Sequence, residues 1–411
     1  MTFTRRSVFK AGAALAAAAV SGAGPARADE SNTIKLGVLT DTAGPYSDLA
    51  GPSSIASVRQ AAKEFADQGF RVEVVSADHQ NKADIAANIT RQWIDRERVD
   101  VIVDVPGSSA ALAVAGVARE KNKVFLASGP AAAELTGPQC SPNTVHWTYD
   151  IYMLANSTGA AMVRAGGDTW FFITADYVFG QSMEADASRF VQAAGGKVLG
   201  SVRFPFPGTT DFSSFLVRAQ ASQAKVFGLA AGGSDLINAI KQAAEFGLTQ
   251  RGAKLAALVM FITDVHSLGL EAAQGLVLSE TFYWDLNDRT RAFTNRLKGG
   301  FGVQAPTMVH AGCYASALHY LKAVKDMGVA AAKASGADAV NRMKAMPTDD
   351  DAFGAGTIRS DGRTLHPAYL FEVKAPRESR APWDYYKLLQ TTPGEQAFRP
   401  LAEGGCPLSR T

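Results

Sequence analysis

Short apolar runs alternate along most of the chain with longer segments whose apolar positions recur every three or four residues. The first run, IKLGVLTD (34–41), ends in a turn, and a helical segment follows over 57–65. RVEVVSAD (71–78) is a second strand. Over 82–98, Ile85, Ile89 and Trp93 recur every fourth position with Ala86 and Ile94 beside them, the stripe of an amphipathic helix. VDVIVDV (99–105), a helix over 110–121 and KVFLAS (123–128) complete a series of βα units. Strands that are apolar nearly throughout belong to parallel sheets covered on both faces.

The alternation breaks over 129–146, a stretch rich in Gly, Pro, Ala and Ser that leads into the short strand-like segment TVHWTY (144–149). A second series then begins: a helix over 152–165, strand 168–175, helix 181–194, strand 197–204, helix 211–222, strand 225–231, helix 234–246 and strand KLAALVMFIT (254–263). LVLSETFYW (276–284) reads as a crossing segment. Helices over 289–298 and 306–327 come next, the second placing Tyr314, Leu318, Leu321 and Val324 on one face. A polar stretch at 347–352 precedes a predicted hairpin over 357–374 that turns at Ser360-Asp361-Gly362, and 382–389 is a final strand. The pattern predicts an α/β protein of two lobes with the chain passing between them more than once. A length of 411 residues is enough for two or three substantial cores.

Composition adds one correction. The first 28 residues carry Arg5-Arg6, a short Ala- and Gly-rich run and Ala26-Arg27-Ala28, the order of a twin-arginine export signal with a small-x-small cleavage site. Setting that segment aside removes four basic residues and no acid. It leaves 37 basic against 39 acidic residues, a net charge of −2. No basic excess remains to draw nucleic acid or an anionic membrane. The signal has no Cys at its end, so the expected product is a free exported protein without a lipid anchor. Export permits disulfides. Cys140 and Cys406 both lie in Pro- and Ser-containing loops, where a bridge would tie down the C-terminal tail. Cys313 sits in an apolar helical run, as a buried thiol does.

The chain holds no GxxxxGK[ST], no GxGxxG opening a helix, no HExxH, no CxxC and no GxSxG. Its six His (79, 146, 266, 310, 319, 366) have no metal-ligand spacing. Neither a cofactor nor a metal is expected. A serine hydrolase built on Ser109 and a ligand sensor are the alternatives to simple capture. The positive signal is positional, since open parallel sheets bind ligands beyond the carboxyl ends of their strands. Those ends carry Asp41 to Tyr46, Pro106-Gly-Ser-Ser109 and Ser128-Gly-Pro130 in the first lobe. In the second they carry Thr174 to Gly180, Ala231-Gly-Gly-Ser-Asp235 and Thr263-Asp264. Small hydroxyls and free amides at helix starts suit a carboxylate, although Ser109 equally suits a helix cap. Tyr177 and Phe179 offer ring faces to an apolar body.

Those stretches, in their order, resemble the periplasmic solute-binding proteins of the branched-chain amino acid-binding family, which feed ABC importers. IKLGVLTDTAGPYSDLAGP, VDVIVDVPGSSAALAV, VFLASGPAAAELTG, FFITADYVFGQ and INAIKQAAEFG carry the likeness across nearly the whole mature chain. The resemblance implies two Rossmann-like lobes with parallel sheets, joined by three crossing segments (144–149, 276–284 and a point near 355) around a ligand cleft. It implies a first lobe of 32–147 plus 282–355, a second of 148–281 plus 356–390, and a tail, 391–411, packed on both. It also implies a monomeric periplasmic protein with an ABC permease as partner. Tyr46, Ser108 or Ser109, Ser128, Gly129, Tyr177 and Phe179 fall on binding loops of the family, with Tyr149 close by. Asp264 stands where an acid receives an α-ammonium. Two positions depart from the family pattern. Gly129-Pro-Ala-Ala-Ala133 lacks the hydroxyl that helps fix an amino acid, and Gly232 and Gly233 replace a Tyr, widening the cleft. The expected ligand is a small carboxylate with an apolar body, an aromatic acid or a branched-chain amino acid.

Overall fold

A computed structural model describes residues 30–248 and 252–409. The expected export signal, 1–28, lies outside them. The first lobe is built on five parallel strands in the order β2–β1–β3–β4–β5: β1 Thr33–Thr40, β2 Arg71–Asp78, β3 Val101–Asp104, β4 Val124–Ala127 and β5 Thr144–His146. β3 and β4 are buried along their whole length, as apolar strands covered on both faces must be. The second lobe has four parallel strands, β7–β6–β8–β9: β6 Thr169–Ala175, β7 Lys197–Phe204, β8 Val226–Ala230 and β9 Lys254–Ala257. The two parallel sheets in two lobes are the architecture the sequence pattern predicts.

Several boundaries differ from the sequence reading. The apolar run 254–263 is a strand only as far as Ala257. Leu258 to Phe261 are buried outside the ladder, and a helix, Ile262–Leu268, starts where the strand was expected to end. Segment 144–149 is not only a crossing, since its first three residues extend the first sheet. Likewise 276–284 supplies β10 (Val277–Glu280) before it crosses. Helices Val329–Ala334 and Gly336–Ala345 lie in an Ala-rich stretch for which no helix is predicted above.

The hairpin turn stands where predicted, with the Gly362 N–H donating to the Arg359 carbonyl at 2.9 Å and Gly362 at φ 87°. Its strands, however, are shorter. After β11 (Thr348–Asp350), β12 (Gly354–Ile358) pairs with β13 (Thr364–Leu365) and the turn lies beside β5, where the His146 N–H donates to the Gly362 carbonyl. The chain then leaves for the second lobe, where β14 (Ala368–Val373) sits between β10 and β15 (Tyr386–Thr392) in an antiparallel sheet. Residues 354–365 thus lie beside β5, and the chain runs on through 366–367 to β14.

The tail makes a fourth passage. From β15 it returns to the first lobe, where Cys406 is disulfide-bonded to Cys140 with Cα atoms 5.6 Å apart; Cys313 is buried and free. The crossings are gripped together. Arg363, fully buried, donates to the Thr148 carbonyl at 2.7 Å, to the His146 carbonyl and to the Asp150 carboxylate at 3.3 Å. The Phe398 ring covers its guanidinium, 4.4 Å from ring centre to the guanidinium carbon. His366 holds the Trp147 carbonyl at 2.6 Å. A buried cation is tolerated here because its donors meet carbonyls and a carboxylate.

Candidate functional site: an aromatic cleft between the lobes

The chain leaves β3 through a strained turn. Asp104 and Val105 both have positive φ, 83° and 63°, a conformation disfavoured for a β-branched residue. The turn swings Pro106 and Gly107 outward and starts the helix Ser108–Glu120 at the cleft. Ser108 is 1% exposed, and its hydroxyl has no hydrogen-bond partner. Gly107 occupies the cap position without a side-chain bond, so neither serine is spent on capping. Ser108 faces the cavity; Ser109, half-buried, does not line it.

Next to this turn, Gly129 follows β4. A Cβ there would stand 2.5 Å from Asp104 Oδ1 and 2.8 Å from the Pro106 nitrogen, so only glycine lets the two strand ends meet. The Tyr149 hydroxyl donates to the Gly129 carbonyl at 2.7 Å. Ser128 lies beneath this floor, with its oxygen 3.4 Å from that of Ser316, and is not part of the lining. Tyr46 is set by Asp41, whose carboxylate accepts from the Gly44 and Tyr46 amides at 2.7 and 3.1 Å. Asp41 is thus engaged in shaping its own loop.

From the second lobe, Tyr177 and Phe179 open the helix Val178–Ala193. Gly232 precedes the helix Ser234–Glu245, and Val259 and Phe261 come from the segment after β9. Tyr149 meets Phe261 edge-on at 5.7 Å. The Tyr46 and Tyr177 hydroxyls touch across the cleft, and burial pushes both phenols far above their usual pKa, which keeps them as neutral hydrogen-bonding groups. Phe206 stacks on Tyr177 at 4.1 Å and lies 5.9 Å from Tyr46, closing the outer side. The space these residues line, its open mouth included, is about 310 Å³. Its lining holds five aromatic rings, the Ser108 hydroxyl and main chain, with no charged side chain.

Tyr46, Ser108, Gly129, Tyr149, Tyr177, Phe179 and Gly232 are brought together; Ser109, Ser128 and Asp264 are not. Asp264 is displaced because β9 ends early. Its carboxylate accepts the Phe261 N–H at 2.9 Å at the start of its own helix, and burial raises its pKa to about 7. Leu49, Ala131, Val259, Phe261 and Phe206 escaped the sequence reading. Val259 and Phe261 were hidden inside a continuous apolar run, and Phe206 sits in the loop FPFPGTT, which has no periodic signal. Among the described residues no cluster of His, Cys, Asp and Glu is arranged to hold a metal, and no helix is long and apolar enough to cross a membrane.

Two α/β lobes around a space lined by no charged side chain have the build of a ligand-binding protein. Residues 33–379 match the family model described as periplasmic binding protein, and the chain belongs to that family. A periplasmic binding protein from Burkholderia mallei is 46% identical, over 92% of this chain and 99% of that one, with a TM-score of 0.87. A branched-chain amino acid ABC transporter periplasmic ligand-binding protein from Burkholderia xenovorans is 38% identical, over 92% and 100%, with a TM-score of 0.80. A solute-binding protein of an ABC transporter from Rhodopseudomonas palustris, in complex with benzoate, shares the fold at 20% identity, over 92% and 100%, with a TM-score of 0.79. No significant match was found among curated proteins. The protein is a periplasmic solute-binding protein of the kind that serves ABC transporters, and not an enzyme.

Proposed function

We propose that the protein captures a small aromatic monocarboxylate in the periplasm and presents it, enclosed between its lobes, to the permease of an ABC importer. The observation that carries this reading is the pairing of an unpartnered buried hydroxyl, Ser108, with a cavity that has ring walls and no acid. The hydroxyl and the first amides of its helix suit a carboxylate. An α-ammonium brought into the same space would find no carboxylate among the lining residues, and an unpaired buried charge costs several kcal/mol. Asp264, the residue expected to receive it, does not line the space and accepts the Phe261 N–H. The benzoate and 4-hydroxybenzoate complexes of two Rhodopseudomonas palustris proteins with this fold agree with the reading.

The ligand docks against the Ser108 and Gly129 ends of the first lobe, and the second lobe closes over it with Tyr177, Phe179 and Phe261. Closure is favoured by as much as the ligand contacts both lobes. Calorimetric titration with benzoate, 4-hydroxybenzoate and leucine tests the proposal. Saturable heat with the benzoates and none with leucine is expected; tight leucine binding with none for either benzoate overturns it.

A further inference from the structure

Beneath the anion end of the cleft lies an acid that the capture scheme does not use. Asp104 is fully buried at the end of β3, four residues before Ser108. Thr40 donates its hydroxyl to Oδ2 at 2.8 Å, whereas Oδ1 has no hydrogen-bond partner. That free oxygen is directed at the main chain of Gly129, where a Cβ would stand 2.5 Å away. Gly129 and Ser108 both line the cavity. An anion held at Ser108 is therefore separated from Oδ1 by a single layer of backbone.

Resting on the capture of a carboxylate at that end, we propose that ligand binding is accompanied by the uptake of one proton by Asp104. The proton comes from solvent and resides on the carboxyl, while the ligand remains ionised. Two negative charges in a dry floor cannot both persist without a cation, and none acts on Asp104. Its surroundings supply Asp41 at the end of β1, Thr40, the Ser54 hydroxyl from helix Gly51–Glu64, the Cys313 thiol from helix Met308–Met327, and Tyr149 from the first crossing. Burial keeps that thiol protonated. It also lowers His310, on the same helix, to about 4, so it is neutral. Burial raises Asp104 to about 7, placing its proton within reach of ordinary conditions before any ligand arrives.

Benzoate, ionised throughout pH 6 to 8, is the probe. Titrated at pH 8 in HEPES and in Tris, whose ionisation heats differ, the intact protein should show a buffer-dependent heat equivalent to nearly one proton taken up. Its affinity should be about tenfold weaker at pH 8 than at pH 6. Asp104→Asn should bind with the same heat in both buffers and with an affinity flat across that range. Benzoate binding by the wild type with identical heats in the two buffers overturns the inference and leaves the capture reading standing, as does an Asp104→Asn variant that still takes up a proton. Absence of benzoate binding at every pH removes the capture reading and the inference with it. Should the variant fail to fold, the wild-type buffer pair alone decides.

Discussion

Tyr46 and Tyr177 touch through their phenolic oxygens, one from each lobe, at the mouth of the cleft. The two loops come from different lobes, and the contact is expected to form only when the lobes are closed and so to act as a latch. Tyr177→Phe keeps the ring stacked on Phe206 and removes the latch oxygen. A neutral hydrogen bond contributes about 0.5–1.5 kcal/mol, so benzoate affinity should fall roughly two- to tenfold with an unchanged melting temperature. Scattering should show a larger open fraction at subsaturating ligand. An unchanged affinity would remove the latch.

Gly233 is the second closure contact. Its φ is 62°, the Ser234 N–H donates to the Pro45 carbonyl at 3.2 Å, and a Cβ on Gly233 would sit on that carbonyl oxygen. Gly233→Ala should therefore hold the lobes apart while each still folds, at a local backbone cost of about 1–3 kcal/mol. The expected result is lost binding with cooperative unfolding retained. Full-affinity binding by this variant would show that closure does not bring these loops together.

Ser108 offers a cleaner separation of function from stability. Its hydroxyl satisfies nothing within the protein, so Ser108→Ala should leave unfolding unaffected. A hydrogen bond to a charged partner contributes about 1.5–3 kcal/mol, which makes the expected loss in benzoate affinity roughly ten- to a hundredfold by calorimetry. Ser109→Ala, outside the lining, should bind as the wild type does.

The tail's return to the first lobe depends on Cys140–Cys406, which closes a loop with a sequence separation of 266. Cys406→Ser should lower stability by about 2–5 kcal/mol, read as a fall of several degrees in melting temperature. Reductant should lower the wild type in the same way and leave the variant untouched. Equal sensitivity of both would show that the effect does not come from this bridge.

His366 provides a test by pH. It bonds the Trp147 carbonyl, and burial lowers its pKa to about 4 from an ordinary 6.5. The unfolded chain therefore binds this proton before the folded one does. Stability from this residue is complete above pH 6.5 and is lost as pH falls toward 4. Relative to His366→Gln, the wild type should lose unfolding free energy between pH 6.5 and 4 in denaturant titrations. Parallel pH profiles would contradict the assignment.

The lobes and most of the first-lobe site are legible in the chain because they depend on local pattern. Apolar β-branched runs stop at Asp104 and Ala127, and the positional rule for parallel sheets then points to Ser108 and Gly129. The choice between Ser108 and Ser109 was not legible. It turns on the helix phase set by the positive-φ turn at Asp104 and Val105, a conformation that neither residue's own preference requests. Val259 and Phe261 were obscured for the opposite reason, since burial in a cleft and burial in a strand leave the same apolar trace. Asp264 follows an apolar run, as a site acid would, and only the fold shows that its carboxylate accepts the Phe261 N–H.

What the amino-acid order determined by itself was the succession of strands and helices, their grouping into two parallel sheets and the small, neutral character of the loops at their ends. Periodicity and backbone chemistry act over a few residues, so they are written locally. Tertiary structure alone decided that Tyr46 meets Tyr177, that Arg363 ties the crossings together and that Asp104 lies beneath Gly129. Each of those relationships joins segments distant in the chain, through packing and burial whose energy arises only when the lobes are assembled.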